Sequence, residues 1–319
     1  MSLHRYILRP LSPWGTPLRS DTLYGLVLWR IAEQEGDAAC RDVIAAFRAG
    51  TPPFILSSAM PAETIFAPRL PPAPRALFRQ WVEEGAFRDA TGNTLPLAVA
   101  LRAYKKFRKR AYLPTKLWTE HAGALSIRSI FAWHCMQPED GDGAPLSVPG
   151  VEPHVTVSRS GGGALEGGLF FSNFVWFATD AALHLYARTN DPERLLALLR
   201  LVGDMGFGKD AAVGKGRFAV DRDDLPAVEC TGESALLLSV CAAPDMAGTS
   251  GWYTVEIKRG KLGPGPFSPF KSPVLLLQEG SVLRTLPQGP YVLENIHSNP
   301  AIVQITHPLT LPCSIREEG

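Results

Sequence analysis

Long apolar runs are missing from this 319-residue chain. No stretch is long enough to cross a bilayer, and the opening Met1-Ser2-Leu3-His4-Arg5 lacks the apolar core of a secretory leader, so a cytoplasmic protein with no membrane attachment is expected. Cysteine is scarce: Cys40, Cys135, Cys230, Cys241 and Cys313 are odd in number and far apart, and no CxxC pair offers a zinc ribbon or a redox dithiol. Reduced, mostly buried thiols follow. Net charge is almost nil, with 32 Lys+Arg against 31 Asp+Glu, so attraction for a polyanion has to come from local clustering. The catalytic signatures are absent too. There is no GxSxG nucleophile elbow, and the seven histidines show no HExxH spacing, so no catalytic residue, metal ligand or cofactor is assigned.

Glycine and proline are plentiful, 29 and 28 residues, which favours turns and long connections over a helical bundle. With 45% hydrophobic residues, the expectation is a folded, loop-rich α+β protein. Leu3 to Arg9 alternates like a strand. A helix follows from Ser20 or Asp21 as cap, with Leu23, Val27 and Ile31 at helical spacing and Gly36 at its C-terminal cap. Proline-dense residues 51–74 and the flexible residues 137–153 bracket an insertion, 51–153, inside which Leu95 to Ala111 reads as a helix with Leu97, Leu101, Tyr104, Phe107 and Ala111 on its apolar face. Strands are expected at 155–157, 169–178 and 182–187, then a helix opened by Asp191-Pro192 and ending near Gly203, then a strand at 217–220. Beyond a boundary at Asp224 a tail, 225–319, carries strands at 235–240, 252–258 and 273–277. The order of elements in 1–224 is that of a ferredoxin-like unit with a large insertion, and the tail is read as a second, degenerate copy.

Five glycines and three cations punctuate residues 203–218: Gly203, Gly206, Gly208, Lys209, Gly214, Lys215, Gly216 and Arg217, with Phe207 among them. Gly206, Gly208 and Ala211 fit GxGxxA, but that fingerprint opens a helix after a strand, and here a helix precedes and a strand follows. A Walker A loop fails because Gly214-Lys215 is followed by Gly216 rather than Ser or Thr. What remains is a loop whose bare amides approach a phosphate backbone, with a plain helix-to-strand connection as the bland alternative. A second cluster, Arg102, Lys105, Lys106, Arg108, Lys109, Arg110 and Lys116, runs without an acidic neighbour among Tyr104, Phe107, Tyr112 and Trp118. Tyr104 and Phe107 are assigned to the core and the cations to nucleic acid. His134 beside Cys135, and His184 in an apolar strand, read as core contacts.

Taken together, these stretches resemble the RAMP proteins of CRISPR effector complexes, most closely the fourth-subunit family of type III-A effectors. Pro17-Leu18-Arg19-Ser20-Asp21-Thr22-Leu23-Tyr24-Gly25 is similar to the family's first helix start, and His154 to Arg159 leading to Gly168-Leu169-Phe170 to its central strand pair. Gly206-Phe207-Gly208 followed by Gly214-Lys215-Gly216-Arg217-Phe218 is similar to its C-terminal glycine-rich loop, and 270–281 fainter, to a late strand pair. The resemblance implies two ferredoxin-like modules and a non-catalytic subunit that grips the 5′ repeat-derived handle of a guide RNA. Its expected neighbours are the large polymerase-like subunit and a backbone RAMP subunit, with target RNA met indirectly. Arg19, Ser20 and Arg159 join the loop and the insertion cations as expected RNA contacts. The alternative is a RAMP-type endoribonuclease acting on precursor guide RNA, with His134 or His154 near Tyr112 and Lys116. In the subunit reading, Trp14 and the prolines of 51–74 are expected to meet neighbouring subunits as well as RNA.

Overall fold

A computed structural model describes residues 1–137, 146–223, 230–262 and 269–316. The chain starts with β1 (Ser2–Pro10), α1 (Ser20–Glu35) and α2 (Asp37–Arg48), then the short strands β2 (Phe54–Leu56), β3 (Met60–Pro61) and β4 (Thr64–Phe66). Helices α3 (Arg75–Glu83) and α4 (Leu97–Phe107), strand β5 (Tyr112–Pro114), and helices α5 (Thr115–His121) and α6 (Ile127–Met136) fill the expected insertion. Next come β6 (Ser147–Val157), β7 (Ala164–Phe177), β8 (Leu183–Thr189), α7 (Pro192–Met205) and β9 (Phe218–Asp223). The tail holds β10 (Ser234–Leu237), β11 (Cys241–Ala242), β12 (Ser250–Trp252), β13 (Val255–Lys258), β14 (Val274–Leu277), β15 (Val282–Thr285), β16 (Val292–Leu293), β17 (Gln304–Ile305) and β18 (Thr310–Cys313). Asp224, the expected boundary, and Glu139-Asp140-Gly141-Asp142-Gly143 lie outside the described residues.

The central sheet runs β2-β8-β1-β9, every pair antiparallel, with β3 also on β8. The order of chain segments is strand, helix, strand, strand, helix, strand, with everything between β2 and β8 spliced in. Alternation decides the faces. Tyr6 and Leu8 of β1 join Leu183 and Leu185 of β8 against α1 and α7, where Leu23, Val27, Ile31, Leu195, Leu199 and Val202 complete one core. Tyr186, at the opposite parity on β8, belongs to a second core. α1 begins as expected from the apolar spacing, but Arg19 rather than Ser20 or Asp21 stands at the cap and makes no side-chain capping bond. Gly36 ends the helix at φ 90°, its N–H donating to Ala32 O, and Asp191 caps α7 by accepting from Arg194 N at 3.0 Å.

Three expectations shift. Helix α4 is shorter than 95–111, because the chain turns at Arg108, and Leu101 faces solvent while Ala100 takes the buried position. β6 extends through the proline-bearing stretch assigned to a linker. Pro149 and Pro153 are tolerated there because β6 pairs with β7 alone, as a two-stranded ribbon with an open edge. Trp14 is 5% exposed, packed edge-on at 4.8–4.9 Å against Phe177 and Phe207, so it is core rather than a contact for neighbours.

The second core joins the insertion to the tail. Phe78, Trp118 and Phe131 pack with Leu236, Leu238, Val282, Leu311 and Cys313. The sheet β12-β15-β10-β18 therefore takes its helical cover from α3 to α6, since no helix occurs among the described residues of the tail. Leu125 bridges Ile315 in parallel, Leu125 N donating to Ser314 O at 2.7 Å and Arg316 N to Leu125 O at 2.8 Å. All five cysteines are free thiols, with Cys241 and Cys313 buried.

Burial holds the His184 imidazole below the ordinary histidine pKa, helped by Arg5 and opposed by Glu63 and Asp223, and burial does the same to His307. Both rings are favoured neutral in the fold. The stability they permit is whole above the unfolded-state value of about 6.5 and is lost as pH falls through the depressed folded values. The melting temperature should accordingly fall below about pH 6.5, with a shallower slope in His184→Gln. A slope unchanged by the substitution would assign the acid sensitivity elsewhere.

Candidate nucleic-acid interface

The glycine loop between α7 and β9 is folded tightly on itself. A Cβ on Gly203 would lie 2.1 Å from Phe218 O, on Gly206 2.3 Å from Lys215 O, and on Gly216 2.2 Å from Phe207 O. Gly206 and Gly216 also sit at φ 77° and 74°. These three are glycine because the backbone crosses itself there. The amides are used internally as well. Gly206 N donates to Val202 O, Gly216 N to Pro13 O, Lys209 N to Thr16 Oγ1 and Arg217 N to Ser12 Oγ, while Gly214 N and Lys215 N donate to Ala211 O and Asp210 O. The expectation of bare amides facing a phosphate chain is thus corrected: these amides close the loop. Gly208 lies against Thr16, and Gly214, at φ 91°, is the one of the five with nothing near its Cβ position. Phe207 is core, against Trp14 and Phe218.

The loop lysines clamp the base of the β6–β7 ribbon. Ser172, Phe174 and Trp176 alternate onto one face of β7. Lys209 Nζ donates to Ser172 Oγ at 2.7 Å, and Lys215 Nζ lies 4.4 Å from the Phe174 centroid and 5.3 Å from that of Trp176 while pairing with Glu152. Trp14 ties the other side, its N–H and carbonyl exchanging hydrogen bonds with Val175. Arg217 is exposed and its Nε donates to Asp204 O at 3.2 Å. Held at its base, the ribbon carries an apolar surface outward: Val151, Val155, Leu169, Phe170 and Phe171 are exposed, Phe171 to 64%, and Arg159 stands in the turn between the strands. An exposed apolar ribbon of this length marks a contact surface. Sequence reading found the loop and missed its clamp, though the alternation Ser172, Phe174, Trp176 was legible.

Two other expected contacts are corrected. Ser20 is fully buried, its N–H donating to Ser58 Oγ at 2.9 Å and its Oγ accepting from Val240 N at 3.0 Å. Arg19 holds Glu279 through two bonds, 3.0 and 2.8 Å, and also pairs with Glu256. Burial alone would lower its pKa, but these carboxylates raise it. Both residues join α1 to the tail instead of facing solvent.

The insertion cations form a separate surface. Lys105, Lys106, Arg108 and Lys109 are exposed at the end of α4 and in the turn after it, and Arg110 is half-buried. Tyr104 is half-buried and Phe107 buried, as assigned. α4 packs on α3 and α6, whereas the glycine loop packs on the end of β1 and the ribbon, so the two clusters are not brought together. The residues of the nuclease alternative are dispersed too. The His134 ring lies 5.0 Å from Phe107, His154 stacks on Phe170 at 5.2 Å, Tyr112 packs on Phe66, and Lys116 is 3.9 Å from Glu120. Among the described residues no group of three His, Cys, Asp or Glu is placed to hold a metal ion, and no helix is long and apolar enough to cross a membrane.

No protein-family model matches the sequence, and no curated protein matches it. Solved structures match in fold. Chains of the Csm1-Csm4 cassette in complex with pppApA and with cA4 give TM-scores of 0.59 and 0.58 at 16% identity, covering 99% of this chain and 100% of theirs. A chain of the Csm3-Csm4 subcomplex of the type III-A CRISPR-Cas interference complex gives 0.55 at 16% identity, covering 97% of this chain and 99% of that one. This chain thus shares its fold over nearly its whole length with chains of these Csm1-Csm4 and Csm3-Csm4 assemblies, a likeness in line with the resemblance read in the sequence.

Proposed function

We propose that this chain is a non-catalytic RNA-binding subunit of a type III CRISPR interference complex, working in the cytoplasm. It grips the 5′ repeat-derived handle of the guide RNA, beside a large polymerase-like subunit and a backbone RAMP subunit. The observation that carries the reading is a fold shared over nearly the whole chain with a subunit that was solved together with Csm1 and together with Csm3. The ribbon supports it: Leu169, Phe170 and Phe171 offer base-stacking surface, and Arg159 adds charge at the tip. Lys105, Lys106, Lys109 and Arg217 are exposed and suited to phosphates. On this reading residues 1–224 form an N-terminal ferredoxin-like module with 51–153 inserted. Residues 225–319 form a second module, covered by helices of the insertion.

Co-expression with both partner subunits and a guide RNA, followed by size exclusion, tests the assignment: one complex is expected, and a monomer that ignores them all defeats it. Neutralising Lys105, Lys106 and Lys109 together should weaken binding of handle-bearing RNA whatever its sequence. It should also flatten the salt dependence by about 0.7 per lost single-strand phosphate contact. An unchanged salt slope would remove this face from the interface.

A further inference from the structure

Strand β13 lies at the edge of the sheet β11-β14-β13. Gln278 N donates to Thr254 O at 2.8 Å, and the ladder continues through Val255↔Leu277, Glu256↔Leu276, Ile257↔Leu275 and Lys258↔Val274. Bonded and non-bonded pairs alternate along an antiparallel ladder, so Thr254, Glu256 and Lys258 turn their backbone groups to β14 while Val255, Ile257 and Arg259 turn theirs away. Among the described residues nothing takes up the backbone N–H or C=O groups of these three. The edge is open.

Edges are normally guarded by a charge, a proline, a bulge or a covering segment. Here no proline or bulge interrupts 255–258, and the charges of the strand are used on its other face, Glu256 pairing with Arg19 and Lys258 Nζ with Asp21 at 2.7 Å. The face that Val255 and Ile257 share is uncovered too. Ile257 is exposed to 75%, and Val255, Phe270 and Leu275, which stands opposite Ile257, are exposed beside it. Open backbone groups and an apolar face on the same residues make a template for strand addition.

Charge indicates what the added strand carries. From Ile257 to Gln278 the sequence holds Lys258, Arg259, Lys261 and Lys271 and no Asp or Glu. Lys258 is committed to Asp21, and Lys271 Nζ donates to Val303 O at 2.9 Å. Arg259 and Lys261 remain exposed at the C-terminal end of the edge, Arg259 lying 5.3 Å from the Phe270 centroid, and neither pairs with a carboxylate among the described residues. Acidic side chains would be drawn there. RNA phosphates would be drawn as well, but an RNA strand has no regularly spaced amides for the open carbonyls and no aliphatic side chains for Val255 and Ile257.

We propose that β13 is a docking edge for an extended segment of another protein. The segment adds antiparallel as an outer strand, lays alternate apolar side chains on Val255 and Ile257, and brings acidic residues at its N-terminal end to Arg259 and Lys261. None of the residues assigned above to RNA takes part, so the assignment stands without that reading.

The test titrates the full chain into a fluorescein-labelled peptide of glutamates followed by alternating valine and threonine, read by fluorescence anisotropy. Saturable binding is expected, weakened about tenfold in Ile257→Pro and in Arg259→Ala/Lys261→Ala. The Ile257 N–H points away from β14, so proline there costs the ladder no bond. The same peptide N-methylated on alternate residues, which keeps its side chains but not its donors, should not bind. Backbone amides of 255–259 should exchange hydrogen more slowly once the peptide is bound. No saturable binding, equal binding of the N-methylated peptide, or protection confined to other segments overturns the proposal. Self-association of the free chain that Ile257→Pro abolishes gives the edge to a second copy, and loss of single-stranded RNA binding in Ile257→Pro gives it to RNA; either outcome overturns it too. Unchanged RNA binding by Ile257→Pro is expected, which keeps failure here distinct from failure of the RNA-binding reading.

Discussion

Arg19→Ala is expected to lower the unfolding free energy by about 3–5 kcal/mol, among the largest effects of any single substitution in this chain. The guanidinium side chain is 20% exposed and the Glu279 carboxylate it holds is 10% exposed. Removing the cation leaves that carboxylate with Ser58 as its remaining donor, and deprives Glu256 of its charge partner while Gln278 still donates to it at 3.0 Å. A buried charge without its counter-ion costs more than the pair contributes. The partners lie 237 and 260 residues away in sequence, in the tail, so the loss loosens α1 from β13 and the 278–281 turn. Arg19→Lys keeps the charge but not the fork, and should fall between wild type and Arg19→Ala. Urea denaturation measures the series. A loss below about 1 kcal/mol for Arg19→Ala would mean that the cluster behaves as a solvated surface pair.

Gly216→Ala should cost roughly 3–4 kcal/mol, against about 1 kcal/mol for Gly214→Ala two residues earlier. Both positions have positive φ, so both substitutions strain the backbone. They differ in space. The added methyl at 216 would meet Phe207 O at 2.2 Å and Phe207 N at 2.6 Å, whereas at 214 nothing lies within 4 Å. Relief at 216 requires Phe207 to move, and Phe207 packs on Trp14, which anchors the ribbon through Val175. Loss of the Trp14 environment, read by fluorescence, should therefore accompany Gly216→Ala and be absent from Gly214→Ala. Equal costs at the two sites would mean that strain alone, and not the crossing of the backbone, fixes the glycines.

What was legible in the sequence is what local physics decides. The stripe Leu23, Val27, Ile31, the left-handed Gly36 and the Asp191-Pro192 helix start all depend on neighbours within a few residues, and each is found where the pattern put it. Cap chemistry at Ser20 was misread because burial against Ser58 and Val240, far along the chain, claimed the hydroxyl and amide first. The part of β6 before Val155 was hidden by its prolines, which are harmless only because no third strand pairs with it. Lys215 looked like a phosphate contact for want of any view of Glu152, Phe174 and Trp176, brought to it from 39 to 63 residues away. Leu101 followed the apolar period one residue beyond the face that the fold covers.

The bridge between Leu125 and Ile315 sets the moment at which this protein can finish folding during synthesis. A ribosome that has released residue 300 has already made the insertion helices and β10, but not the strand that closes their shared core: Leu311 and Cys313, both fully buried, and the Ser314 and Arg316 backbone that pairs with Ala122 and Leu125. Until those residues emerge, Trp118, Phe131 and Leu236 are incompletely covered. From the emergence of the insertion helices until residues 310–316 follow, the nascent chain thus presents an apolar surface to chaperones, and a stop codon before Thr310 yields a product that proteolytic quality control can recognise.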